Sequence, residues 1–154
     1  MKILFVCHGN ICRSPMAEFV FKHMAQGLDV YIESRATSDE EIFMGVGNKM
    51  HRGTTDVLKR NGIPFDENKR AIQLKRDEYE KFDLFIGMDR ANVWNMLRIF
   101  GSDPQNKVKL LLDYTGSQGQ EVDDPWYTGD FDTTYNDIKR GILALIEEIK
   151  NEVQ

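Results

Sequence analysis

The chain has 154 residues and a formal net charge of −5, and its length suits one compact domain with a buried core. Two cysteines are too few for the disulfide framework of a secreted domain, so we expect a reducing, cytoplasmic setting. The acidic balance argues against nucleic acid and membrane lipid as partners. Because no repeat or Pro/Gly-rich linker divides residues 1–154, we treat them as a single domain. We expect this domain to be a monomer or a weak dimer.

The chain begins with the pattern of a strand, a tight loop and a helix. Residues 1–6 are apolar apart from Lys2, which is typical of a parallel strand covered on both faces. A loop follows at Cys7, and a helix is expected after it, with Ser14 as N-cap and Pro15 at the first helical position. A second short strand is predicted at residues 30–33.

The middle of the chain continues the alternation of helices and strands. A helix is predicted at residues 50–61, and Gly62 at its C′ position should end it. The buried run at residues 84–88 predicts a third strand, and Asp89 is expected to cap the helix that follows. Residues 108–112 predict a fourth strand.

The last predicted helix has the clearest pattern. From about Thr133 to the C-terminus one apolar stripe recurs at helical spacing, made of Tyr135, Ile138, Ile142, Leu145, Ile146 and Ile149. Alternating strands and helices predict an α/β fold with three layers, a doubly wound four-stranded parallel sheet with helices on both faces. Ligands bind such sheets at the carboxyl ends of the strands, so the loop after the first strand is the first candidate site.

The loop of residues 7–14 has the composition of an oxyanion-binding loop. Backbone N–H groups and a helix N-terminus attract an anion, and Gly9 allows the sharp bend. Arg13 can grip two phosphate oxygens at once. The same positive field predicts that Cys7 is a thiolate at neutral pH and can attack phosphorus, with the Ser14 hydroxyl donating to it. The loop residues expected to bind substrate are His8, Gly9, Asn10, Ile11, Cys12 and Ser14.

Each cysteine also has a simpler interpretation. Cys7 could be an inert buried thiol, although its surroundings favour the reactive form. Cys12 could form a reversible disulfide with Cys7 under oxidants, or it could only pack beneath the loop. A zinc site is disfavoured because the two cysteines and His8 lack a fourth ligand at a usual spacing. We therefore expect neither a metal nor an organic cofactor.

The loop resembles the signature of the low-molecular-weight protein tyrosine phosphatase family, namely cysteine, five residues, arginine and serine, with Gly-Asn inside and proline after it. The resemblance extends to residues 34–38, 82–89 and 124–127. It implies a sheet in the order 2-1-3-4 and hydrolysis of phosphotyrosine or small aryl phosphates through a cysteinyl-phosphate. It also implies inhibition by oxyanions such as phosphate. Asn10, Ser14 and Ser34 match family positions that support the loop.

The same resemblance implies that Asp124 protonates the leaving oxygen. Expulsion of an alkoxide or phenoxide needs a proton, and a positioned carboxylic acid can supply it. Asp123 is the rival, but Pro125 restricts the backbone of Asp124 and presents its carboxyl more rigidly. The segment could also be a plain surface turn. Trp126 and Tyr127 are expected either to wall the cleft and stack on an aromatic substrate or to pack the loop down.

The sequence departs from the family pattern in three places. His8 stands where relatives carry an apolar or small residue, so it could touch the substrate, or it could simply be solvated. Residues 39–44 are longer than usual and lack the aromatic residue that often faces Trp126, a place that Phe43 could take. Residues 68–74 match the family's basic stretch only loosely, which leaves part of the loop's support open.

Three alternative functions fit the same loop. A protein arginine phosphatase of this family carries Thr at the position of Ile11, and the bulkier Ile11 favours an aryl phosphate. An arsenate reductase would need a cysteine beyond Cys12. A non-catalytic oxyanion-binding or redox-sensing module is disfavoured because Cys7, Arg13 and Asp124 are all present.

Overall fold

The computed structural model describes residues 1–153 and contains two sheets. The strands, in chain order, are β1 (Lys2–Cys7), β2 (Tyr31–Ala36), β3 (Ile42–Phe43), β4 (Val46–Gly47), β5 (Leu84–Gly87) and β6 (Val108–Leu110). The main sheet is parallel, in the order β2-β1-β5-β6, and this confirms the predicted order 2-1-3-4 of its four strands. The small antiparallel hairpin β3–β4 was not predicted.

Helices cover both faces of the main sheet. They are α1 (Arg13–Met24), α2 (Arg52–Arg60), α3 (Arg90–Phe100), α4 (Pro125–Thr128) and α5 (Phe131–Val153). Along β1 the side chains alternate between two apolar clusters, because successive residues of a strand point to opposite faces. Ile3 and Phe5 join the cluster that contains residues of α1 and α5, whereas Leu4 and Val6 join the cluster with Phe85. The three-layer α/β prediction is confirmed.

Several element boundaries differ from the predicted ones. Strand β2 continues to Ala36 because it pairs with the whole length of β1. Strand β6 ends at Leu110, and a short 3₁₀ helix, Leu111–Thr115, replaces the rest of the expected strand. Helix α5 begins at Phe131, two positions before the predicted start. Gly62 has a positive φ just after α2, and Asp89 caps α3, both as predicted.

The predicted start of the first helix is wrong by two residues. Helix α1 begins at Arg13 with Cys12 at the N-cap, so Ser14 already lies inside the first turn. The Ser14 N–H donates to the Cys7 sulfur, which leaves its hydroxyl available for contacts in the loop. Pro15 then falls at the third helical position, where an N–H has no intrahelical partner in any case. Within residues 1–153, no helix is long and apolar enough to cross a bilayer.

Candidate active site

A cleft of about 120 Å³ opens at the carboxyl end of β1, on the side that the fold predicts for a ligand. Its walls come from three chain segments that the fold brings together. The residues that line it are Cys7, His8, Gly9, Ile11, Cys12, Arg13, Glu40, Glu41, Asp124, Trp126 and Tyr127. Of the predicted site residues, only Asn10 and Ser14 do not line the cleft. Both belong to the loop of residues 7–14, and both are buried.

The sulfur of Cys7 sits at the start of helix α1 and receives several polar contacts. The backbone N–H groups of Asn10 and Ser14 donate to it at 3.3 and 3.4 Å. The Ser14 hydroxyl oxygen lies 3.0 Å from the sulfur. Cys12, the N-cap of this helix, makes no side-chain cap hydrogen bond, so the sulfur itself meets the positive end of the helix. Two backbone N–H groups and one hydroxyl therefore surround the Cys7 sulfur at the N-terminus of α1.

Arg13 is almost fully buried and is held by groups on the opposite side of the cleft. Its Nη1 donates to the Asp89 carboxylate at 2.8 Å and to the carbonyl of Val122 at 2.9 Å, and its Nη2 is 3.4 Å from Asp124. Burial opposes the charged form, but Cys7, Asp89 and Asp124 outweigh burial and raise the pKa of Arg13. A permanently charged guanidinium therefore stands in the same cleft as Cys7, with Nε and part of Nη2 available for an anion.

Asp124, and not Asp123, borders the cleft. Its Oδ1 accepts from the Trp126 N–H at 3.0 Å and caps helix α4, in which Pro125 is the first residue. The backbone carbonyl of Asp123 accepts from the Thr134 hydroxyl at 3.1 Å, while its side chain is exposed. Of these two aspartates, only Asp124 therefore lines the cleft beside the loop of residues 7–14.

Asn10 organises the rear of the loop from a left-handed backbone conformation, with φ of 60°. Asparagine tolerates this conformation better than most residues. Its amide nitrogen donates to the hydroxyls of Ser14 and Ser34 at 2.7 and 3.0 Å. Its amide oxygen accepts from the Ile72 N–H and from Lys69 Nζ, both at 3.0 Å. Residues 68–74, which match the family pattern only loosely, therefore do support the loop, through Lys69 and the N–H of Ile72.

The rim of the cleft formed by residues 39–44 is acidic. The sequence analysis considered Phe43 for this rim. Glu40 contacts His8 at the exposed edge of the cleft, with 2.9 Å between the carboxylate oxygen and Nε2. Glu41 is fixed by the Asn48 side-chain amide at 2.8 Å. Phe43 is 77% exposed and does not line the cleft, so the expectation that it faces Trp126 is wrong.

Aromatic side chains anchor the opposite wall. The His51 ring stacks on Phe131 with 5.0 Å between centroids and meets Trp126 edge-on at 5.7 Å. Trp126 is thereby partly fixed, and Tyr127 remains 84% exposed. Trp126 and Tyr127 both line the cleft, and Trp126 also packs against His51.

The sequence analysis missed several residues of the site. Asp89 was recognised as a helix cap, but not as the anchor of Arg13, and one carboxylate performs both roles. Lys69, Glu40 and Glu41 gave no usable signal, because their partners lie far away in the sequence or in a segment of irregular length. Among the described residues, no group of three or more His, Cys, Asp or Glu side chains could hold a metal ion.

Comparison with known proteins decides the family. The family model for low molecular weight phosphotyrosine protein phosphatases matches residues 2–154. The chain belongs to this family. It is therefore a phosphatase, a hydrolase that acts on phosphorylated substrates.

Individual members of the family resemble the chain over nearly its full length. The low molecular weight protein-tyrosine-phosphatase YfkJ of Bacillus subtilis is 38% identical, with 100% of this chain and 99% of the relative covered. The crystal structure of YfkJ superposes with a TM-score of 0.91 at 36% identity, covering 100% and 97% of the two chains. The phosphatase SP-PTP from Streptococcus pyogenes superposes with a TM-score of 0.85 at 41% identity, covering 96% and 91%.

Proposed function

We propose that this phosphatase hydrolyses phosphotyrosine and other aryl phosphate monoesters through a covalent phosphate on Cys7. The observation that carries the proposal is the joint position of Cys7, Arg13 and Asp124 in the lining of one cleft, with the sulfur at a helix N-terminus. Nucleophile, anion clamp and acid are the three groups that a two-step displacement needs.

In the first step the Cys7 thiolate attacks phosphorus. A bond forms between sulfur and phosphorus while the ester P–O bond breaks, and the proton of Asp124 passes to the leaving oxygen. The guanidinium of Arg13 and the loop N–H groups stabilise the charge on the equatorial oxygens. Asp124 is suited to the transfer because its carboxyl group is held at the cleft by the Trp126 N–H.

In the second step water attacks the phosphorus of the cysteinyl-phosphate. The Asp124 carboxylate takes a proton from that water, the P–S bond breaks, and inorganic phosphate and the Cys7 thiolate are released. The Ser14 hydroxyl, 3.0 Å from the sulfur, stabilises the departing thiolate. Because phosphate is a product that the loop binds, it inhibits the enzyme.

The cleft favours an aryl substrate over phosphoarginine. Ile11 and the aromatic Trp126 offer apolar surface to a ring beside the phosphate. The alternative has support from one related structure. A Cys-to-Ser mutant of the YwlE arginine phosphatase, with a phosphorylated active-site serine, superposes with a TM-score of 0.82 at 28% identity, covering 97% and 96%. That structure also supports a phosphoryl group on the residue at the cysteine position.

Both cysteines, Cys7 and Cys12, are free thiols, and Cys7 must stay reduced to act as the nucleophile. This is consistent with a reducing compartment, so we place the enzyme in the cytoplasm.

Turnover of three substrates by matched variants tests the function. The substrates are para-nitrophenyl phosphate, a phosphotyrosine peptide and a phosphoarginine peptide. We expect the wild type to prefer the two aryl phosphates. Cys7→Ser should abolish turnover, and Asp124→Ala should lower kcat for the peptide by about 10²- to 10⁴-fold. The neighbouring variant Asp123→Ala should stay within about threefold of the wild type, because its side chain is outside the cleft.

Other results would contradict particular parts of the proposal. Preference for phosphoarginine overturns the substrate class and leaves the mechanism standing. Full activity of Cys7→Ser overturns the mechanism. Equal losses in Asp123→Ala and Asp124→Ala would show that the segment acts by folding and not by proton transfer.

A further inference from the structure

His51 lies at the junction between helix α2 and the loop of residues 7–14, and the two-step mechanism gives it no role. Its backbone N–H donates to the carbonyl of Ile11 at 2.9 Å. It is also the N-cap of α2, where its Nδ1 accepts from the Gly53 N–H at 2.9 Å. The backbone of His51 is therefore tied to the loop that binds phosphate, and its side chain is fixed by the helix that it caps.

The imidazole ring of His51 contacts the segment that follows Asp124. Phe131, the first residue of α5, stacks on the ring with 5.0 Å between centroids, and Trp126 meets the ring edge-on at 5.7 Å. Both arrangements are favourable for aromatic pairs. One ring therefore holds the chain on both sides of the turn that leads from α4 to α5.

The packing around this ring is close, and Trp126 has few other means of fixation. A Cβ at Gly53 would lie 2.4 Å from ring carbons of Phe131, so α2 can approach α5 only because residue 53 is glycine. Trp126 itself is 59% exposed. Within residues 1–153, His51 is its only aromatic partner. The position of the indole therefore depends strongly on His51.

Trp126 transmits its position to the carboxyl group of Asp124. The Trp126 N–H donates to Asp124 Oδ1 at 3.0 Å, so a shift of Trp126 moves the donor that holds the carboxyl group. Helix α4 has only four residues, too few to be stable without tertiary contacts. Because an acid must lie within hydrogen-bond reach of the oxygen that it protonates, a loose Trp126 would weaken proton transfer from Asp124.

We propose that His51 is a positioning residue that acts through Trp126 to hold Asp124 at the correct distance from the loop of residues 7–14. The proposal deepens the proposed function and rests on it, because it takes Asp124 as the acid. The backbone of His51 is fixed to the loop, and its ring is fixed to the segment of the acid. In the two-step mechanism the leaving oxygen lies between these two parts, so one residue sets their separation.

The test compares kcat/KM for phenyl phosphate with kcat/KM for para-nitrophenyl phosphate. The nitro group makes the phenolate a better leaving group that needs the proton less, so the ratio of the two values reports on the acid. We expect Asp124→Ala to raise the preference for para-nitrophenyl phosphate by about tenfold or more. His51→Ala should raise it by about fivefold, because the acid is present but misplaced. His23→Ala, the same change at a histidine of α1 outside the cleft, should leave the ratio unchanged.

Two further variants separate the ring of His51 from its role as a helix cap. His51→Asn keeps an oxygen that can accept from the Gly53 N–H but loses the ring, and it should change the ratio as His51→Ala does. His51→Phe keeps the ring but loses the acceptor, so the ratio should return to the wild-type value while the urea midpoint falls. The double variant His51→Ala/Trp126→Ala should change the ratio no more than Trp126→Ala alone, because both substitutions break the same path.

The fluorescence of Trp126 measures its fixation without any substrate. The chain has two tryptophans, so Trp94→Phe leaves Trp126 as the single emitter. In this background the anisotropy of the emission should be lower with His51→Asn than with His51→Phe, because an indole without its aromatic partner moves more freely on the nanosecond timescale.

The outcomes distinguish this inference from the proposed function. If Asp124→Ala leaves the ratio unchanged, or if the wild type hydrolyses neither substrate, the proposed function is wrong at that point and this inference falls with it. If Asp124→Ala raises the ratio but His51→Asn does not, only the positioning role of His51 is overturned. The same holds if His51→Phe and His51→Asn change the ratio equally, or if their anisotropies agree. If His51→Ala does not fold, the pair His51→Asn and His51→Phe decides the question.

Discussion

Single residues in this site perform more than one task. Asp89 caps α3 with one carboxylate oxygen and orients Arg13 with the other. Ser14 donates its N–H to the sulfur, and its hydroxyl links Asn10 to Cys7. A single-task interpretation, such as Ser14 as an N-cap, therefore failed for the residues with the most contacts, while Cys7 and Arg13 were located from the loop motif alone.

The two cysteines should differ sharply in reactivity. Burial, followed by the nearby charges of Cys7 and Asp124, raises the pKa of Cys12 from its ordinary value of 9.0 to about 12. Cys12 is thus a thiol in the folded protein through neutral and mildly alkaline pH, and only a thiolate alkylates rapidly. We expect iodoacetamide at pH 8 to label Cys7 and to leave Cys12 unmodified, as judged by peptide mass spectrometry.

Unfolding provides the control for this selectivity. In denaturant the burial is lost, and both cysteines should be labelled at similar rates. Labelling of Cys12 ahead of Cys7 in the folded protein would contradict the assignment of Cys7 as the reactive thiol. The reversible disulfide between the two residues stays a prediction, and it requires oxidation to begin at Cys7.

At the scale of elements, the hairpin β3–β4 follows Glu40 and Glu41, which line the cleft. Its turn was not predicted from the sequence. Met44 and Gly45 both have positive φ, at 52° and 80°, as in a type I′ hairpin turn. Methionine is an unusual residue for that conformation, which is why the turn was not predicted. The hairpin carries Glu41 at its base, and Gly47 packs directly against the backbone of Ala71.

Gly47→Ala should therefore disturb the loop from a distance. A Cβ at this position would lie 1.9 Å from the carbonyl oxygen of Ala71, a backbone atom that cannot rotate away. The adjacent Ile72 N–H supports Asn10. We expect a loss of about 3 kcal/mol in the free energy of unfolding, the upper end for overpacking, and a several-fold lower kcat, measured by urea titration and aryl phosphate hydrolysis.

Gly45→Ala is the matched change in the same hairpin. Its added methyl group meets open space, so only the left-handed backbone opposes it, at about 1 to 2 kcal/mol. Activity should be retained. If both variants lose activity equally, flexibility of the hairpin, and not its packing on Ala71, controls the loop.

At the scale of the whole molecule, β1 connects the site to the entire core. From Ile3 onward its residues belong alternately to the two apolar clusters, and its last residue is Cys7, the proposed nucleophile. Helices α1 and α5 contribute side chains to the same cluster on one face of the sheet. We propose on this basis that residues 1–154 fold as one domain, and we keep the expectation of a monomer or weak dimer.

One cooperative unfolding transition that shifts with phosphate is the expected behaviour. Far-ultraviolet circular dichroism and fluorescence from Trp94 and Trp126, which lie on α3 and α4, should give coincident curves. Inorganic phosphate at one hundred times its dissociation constant should stabilise the fold by about 2.7 kcal/mol. The gain should be largely lost in Arg13→Met. Separate transitions for the two probes would count against a single domain.

The amino-acid sequence alone predicted the α/β pattern and the loop at residues 7–14, because apolar periodicity and adjacent residues are local signals, and the family resemblance added the Asp-Pro segment. Only the tertiary structure decided which groups hold the site together. Arg13 meets Asp89 and Asp124 across 76 and 111 positions, and Asn10 meets Lys69 across 59. Contacts over such separations leave no local pattern, since they depend on how the strand ends and loops assemble at one edge of the sheet.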